Sequence, residues 1–78
     1  MNKDLITTEI QSSLKTHGTK PPGLFDLPGM YKLKTKLENA TSLDEVLVLI
    51  DDNTPFIKKA FGVTEGDIDM LAARLRML

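Results

Sequence analysis

The stretch Thr41–Gly62, TSLDEVLVLIDDNTPFIKKAFG, constrains the fold more than any other part of the chain, because it joins the densest apolar run to explicit start and stop signals. Ser42 and Glu45 match the reciprocal capping pattern, in which the hydroxyl accepts from a free backbone N–H and the carboxylate reaches back to another. A helix is expected over Leu43–Asp52. Leu43, Val46, Leu47 and Ile50 share one face of it, and Val48 and Leu49 widen the apolar arc until only Asp44, Glu45, Asp51 and Asp52 are plainly polar. Such an element belongs in the middle of a core. Val46–Ile50 also fits a short buried strand, which periodicity does not separate from a buried helix, and the cap decides for helix. Asn53, Thr54 and Pro55 then break the element, and a second helix is expected over Pro55–Phe61, ended by Gly62.

The remaining segments are read around this centre. From Asp4 to Thr16 the residues Leu5, Ile6, Ile10 and Leu14 gather on one side of a helical projection, and His17 with a left-handed Gly18 marks the end. Thr19–Pro28, TKPPGLFDLP, holds three of the four prolines and reads as a loop with no regular element. Its Leu24, Phe25 and Leu27 either fold down as a lid on the core, the first expectation, or stay exposed for a partner. Residues 30–38 leave two readings open. Tyr31, Leu33, Thr35 and Leu37 alternate with lysines as in a strand, yet Met30, Leu33, Leu37 and Ala40 repeat at helical spacing, and a helix over Met30–Ala40 is preferred. The last helix, Glu65–Met77, has Thr64 and Asp67 as cap and third-position acid and a stripe of Ile68, Leu71, Leu75 and Leu78. The expectation is a single all-α domain over 1–78, a compact bundle of four or five short helices with one Pro/Gly-containing loop.

Length and charge limit the function classes. At 78 residues the core is thin, since folding hides only about 60% of the surface of so short a chain. There is no Cys and only one His, so disulfides and thiolate metal sites are excluded and the usual activated nucleophiles and zinc motifs lack components. Glu65 and Asp69 stand one helical turn apart, but two carboxylates are too few for a hard cation. No catalytic residue, metal site or cofactor is assigned, and an enzyme is not expected. The formal net charge of −1 gives no global attraction to nucleic acid or anionic membrane. Charge is uneven, however: five lysines between Lys15 and Lys36 face only Asp26, whereas acids prevail from Asp44 onward. With no transmembrane-length apolar run and no signal-peptide pattern, a soluble cytoplasmic protein is the expectation.

Two segments resemble nucleic-acid-binding motifs. Leu27, Pro28, Gly29 and Met30 resemble the glycine-rich hairpin of helix-hairpin-helix proteins, which implies backbone N–H groups meeting phosphate, with Lys32, Lys34 and Lys36 close behind. Tyr31 stands where that family has its second glycine. Ile57–Leu71 is similar to the helix-turn-helix of bacterial regulators, with Ile57, Phe61, Gly62, Val63, Thr64, Ile68 and Leu71 in the expected places. Glu65, Asp67 and Asp69 nevertheless open the segment that resemblance makes the recognition helix, and acids repel phosphate. The first functional expectation is therefore a small non-enzymatic protein–protein interaction module, adaptor-like or inhibitor-like. It would use Leu24, Phe25 and Leu27, or the acidic edge at Glu65 and Asp69. The alternative is nucleic-acid binding through Lys32, Lys34 and Lys36 together with Arg74 and Arg76. A homodimer is compatible with both, and no membrane partner is expected.

Overall fold

The computed structural model describes residues 1–78 as five α-helices and one short 3-10 turn, with no strand. The helices are α1 (Lys3–His17), α2 (Leu27–Asn39), α3 (Leu43–Asp52), α4 (Thr54–Phe61) and α5 (Glu65–Arg76), and the 3-10 turn spans Leu24–Asp26. The expected all-α bundle is the fold.

Local chemistry fixes most boundaries. Asn2 opens α1 by accepting the Leu5 N–H at 3.2 Å, and Ser42 opens α3 by accepting the Glu45 N–H at 3.2 Å. The Glu45 carboxylate reaches back past Ser42 to Thr41, taking its N–H at 3.0 Å and its hydroxyl at 2.8 Å. At α5 the box is reciprocal within Thr64 and Asp67: the Thr64 N–H donates to Asp67 at 2.9 Å and the Asp67 N–H to Thr64 Oγ1 at 3.1 Å. Asn53 ends α3, its Nδ2 donating to the Leu49 carbonyl at 2.7 Å, and directly precedes α4, so the two helices are almost continuous. Gly62 ends α4 at φ 66°, the only positive φ in the chain.

These caps predict how the fold responds to acid. The Thr41 N–H and hydroxyl hold the Glu45 carboxyl below its ordinary value, and the Thr64 N–H does the same for Asp67. Both groups have a lower pKa folded than unfolded, so their contribution is complete above the unfolded value and disappears as pH falls through the folded one. The melting temperature is expected to drop between about pH 5 and pH 3. The double variant Glu45→Gln, Asp67→Asn should lower it at neutral pH and flatten that drop. Thermal melts across the range, with wild type and variant side by side, measure both effects.

α5 is the centre of the packing, with α1, α3 and α4 set against it and α2 leaning on α3. The buried cluster consists of Ile6, Ala40, Val46, Ile50, Ile57, Val63, Ile68, Leu71 and Leu75. The α3 face at Val46 and Ile50 is inside as its spacing requires, but Val48 is turned to solvent. The α5 stripe stops at Leu75, leaving Met77 and Leu78 exposed.

Three expectations are corrected. α2 begins at Leu27 rather than Met30, because Pro28 in the first turn sacrifices no intrahelical N–H bond. Gly29 within that turn lies so near the Phe56 ring that an added Cβ would stand 2.7 Å from Phe56 Cε1. Leu27–Met30 is therefore helix, not a phosphate-binding hairpin. Gly18 closes α1 in an extended conformation, φ −64° and ψ 137°, not a left-handed one. It is glycine because a Cβ there would overlap the Leu14 carbonyl oxygen. Lastly, Thr19–Pro28 is not structureless and is not a lid, as its Leu24–Asp26 turn shows.

Candidate apolar contact sites

The Leu24–Asp26 turn separates its side chains by chemistry in an unusual sense: the acid points in and the apolar groups point out. Asp26 is buried, where its Oδ2 accepts the Gly23 N–H at 3.1 Å and its Oδ1 lies 3.8 Å from Lys59 Nζ. The Asp26 N–H also donates to the Gly23 carbonyl at 3.0 Å. The turn is thus tied at Gly23, faced by Lys59 of α4, and continuous with α2. On this fixed base Leu24 is 78% exposed and Phe25 95% exposed. Leu27, the third residue expected here, is half-buried in the first turn of α2. An exposed Phe forfeits the burial that normally makes it stabilising, about 1.5–3 kcal/mol. Single exposed apolar residues are ordinary; here two adjacent ones project together from a pinned turn.

The acidic residues of α5 form a different surface. Glu65 and Asp69 are exposed and make no hydrogen bond or ion pair within the chain, whereas Asp67 between them is 3.7 Å from His17. Asp69 borders a cleft between α3 and α5 with Val48, Asp51 and Arg76.

The basic residues are not brought together. Because residues 30–38 are helical, Lys32 and Lys36 lie about 40° apart around α2 while Lys34 points to the opposite side. Lys34 is 3.9 Å from Glu38, and Arg74 is 3.4 Å from Glu9. A strand would have placed Lys32, Lys34 and Lys36 on one face; the helix disperses them. The α4–α5 corner does form, with Val63 buried in it. Thr19 closes over its turn, donating its N–H to the Phe61 carbonyl at 2.9 Å and its hydroxyl to the Gly62 carbonyl at 2.9 Å.

A further site was not foreseen from the sequence. α1 packs on α5 and α2 on α3, so the two helices stand apart as walls over a floor made by α3, α4 and α5. The groove between them has a volume of about 480 Å³ and is lined mostly by apolar side chains. Lys3 Nζ closes one end by donating to the Glu38 carbonyl at 2.6 Å. At the other end the groove shares Leu14, Met30 and Phe61 with a shallower cleft beside Lys15, Lys20 and Pro22. Whole-molecule dimensions agree. The radius of gyration, 11.6 Å, equals the roughly 11.5 Å of a compact chain this long. Yet the accessible surface, 5260 Å², exceeds the roughly 4,700 Å² typical of this mass by about 500 Å². The extents are 31 × 23 × 19 Å, and the groove contributes to the surplus surface. The only advance signal was the amphipathic spacing of α1 and α2, which marks an apolar face but not the distance between two such faces.

No group of three His, Asp or Glu side chains converges to hold a metal ion, and no helix is long and apolar enough to cross a membrane. No protein-family model matches the chain, and no curated protein or solved structure matches it significantly.

Proposed function

We propose that the protein is a non-enzymatic protein–protein interaction module that presents Phe25, with Leu24, as an anchor for an apolar pocket on another protein. The observation that carries this reading is the 95% exposure of Phe25 on a turn held by the buried Asp26. Aromatic anchors held rigid before binding give up little entropy on docking and commonly dominate the energy of small interfaces. Lys59 beside Asp26 gives this anchor a cationic neighbour, so a pocket with an acidic rim is the complementary partner. A cytoplasmic setting belongs to the same proposal. Glu65 and Asp69 form a second, acidic contact edge in this reading.

The test is a photo-reactive phenylalanine analogue at position 25, with a second placed at Thr8, an exposed position of α1. Crosslinking in the native host from position 25 alone, to one protein, is the expected outcome. Equal or absent crosslinking from both positions would remove the anchor from the account. Crosslinks to a second copy of the chain would make the partner a homodimer. Nucleic-acid binding by Lys32, Lys34, Lys36, Arg74 and Arg76 has thinner support, because only Lys32 and Lys36 share a side of α2 while Lys34 and Arg74 are paired with Glu38 and Glu9. It requires nuclease-sensitive material that leaves the protein as salt rises, with a slope of about one log unit per phosphate contact.

A further inference from the structure

The α1–α2 groove is independent of the Phe25 anchor and has its own charge pattern. Its lining runs along α1 from Lys3 to Leu14 and along α2 from Met30 to Glu38, which is about 17 Å and 12 Å of helix. That length suits two to three turns of one helix face, roughly 8–11 residues, and the volume of about 480 Å³ suits the few large side chains such a face projects rather than a whole domain. The rim is more basic than the molecule. Lys3, Lys15, Lys20 and Lys34 border the groove and its extension against Asp4 and Glu38, in a chain whose net charge is −1. Lys15 and Lys20, at the open end, have no acidic partner within the chain. The closed end is fixed by the Lys3 to Glu38 bond, so a guest helix has one open exit, and it is flanked by unpaired cations.

From this arrangement we infer that the groove receives an amphipathic α-helix of a partner protein, its apolar stripe on the groove floor and acidic residues on its flanks against Lys15 and Lys20. Such a helix would cover the half-buried apolar walls at Ile10, Leu33 and Leu37 and add a sixth helix between α1 and α2. The rim lysines are exposed, so they contribute mainly to partner choice and association rate, and salt weakens that contribution.

The experiment uses the full chain, isotope-labelled, titrated by nuclear magnetic resonance with two synthetic peptides of about 15 residues, long enough to keep the central turns helical when the ends fray. Both carry Leu at helical spacing, and they differ in bearing Glu or Lys at the flanking positions. The expected result is that the Glu peptide shifts Ile10, Leu33 and Leu37 resonances and binds about tenfold more tightly than the Lys peptide at low salt. In the exposed double variant Lys15→Glu, Lys20→Glu the preference should reverse. A parallel titration with dodecanoate distinguishes an amphiphile pocket. If dodecanoate shifts the groove residues and neither peptide does, the helix proposal is overturned. It is overturned equally by Glu and Lys peptides that bind alike, or by a preference unchanged in the double variant. Because no readout involves Phe25, failure here leaves the anchor reading standing.

Discussion

Leu75→Ala is expected to remove a large part of the stability of the fold. Leu75 has no exposed surface and lies on α5, the helix against which α1, α3 and α4 pack. Emptying such a site costs about 2–5 kcal/mol, through lost burial and the cavity left behind. A chain of 78 residues has about 4–12 kcal/mol in total. At mid-range a little under half of the native stability therefore depends on one side chain, because a thin core offers few neighbours to collapse into the space. Urea unfolding followed by circular dichroism should show a much lower midpoint with the slope little changed. A loss below about 1 kcal/mol would mean that the end of α5 is not part of the core.

Gly62→Ala is the second large effect, and its cause is backbone geometry. At φ 66° an L side chain is strained, and a Cβ there would overlap Thr19 Oγ1. The strain costs about 1–2 kcal/mol and displacement of Thr19 forfeits its bond to the Gly62 carbonyl, so about 2–3 kcal/mol is expected in total. Thr19 joins the exit of α1 to the α4–α5 turn, so the lesion should reach α1 as well. A double-mutant cycle separates the two parts: in a Thr19→Ala background, Gly62→Ala should cost only the strain. Equal costs in both backgrounds would show that Thr19 does not latch the turn.

These two sites illustrate what the sequence discloses. Gly62, Ser42 and Thr64 were legible because caps are local, and the residues that make each bond lie within four positions of one another. The apolar stripe of α5 was legible through Leu75 because burial follows helical period. The start of α2 was hidden because Pro28 and Gly29 serve a first turn as well as a loop, and the close approach of Phe56 that explains Gly29 comes from a distant segment. The arrangement of Lys32, Lys34 and Lys36 depended wholly on choosing helix or strand, since the two periods give opposite surfaces. Leu24 and Phe25 were picked out as a lid or a contact, but which of the two depended on Asp26 turning inward toward Lys59, a tertiary event. The apolar faces of α1 and α2 were legible but the groove between them was not, because the spacing of the two helices is set by what each packs on and not by their own residues.

Phe25→Ala, with stability and partner affinity measured on the same preparations, tests the central claim most directly. Phe25 buries almost nothing within the chain, so the melting temperature should stay within the range of a surface substitution, about 0.5 kcal/mol or less. Affinity for the protein crosslinked through position 25 should fall by at least about 2 kcal/mol, roughly thirtyfold. A sharp loss of stability with affinity intact would instead make Phe25 a packing residue and contradict the interaction account.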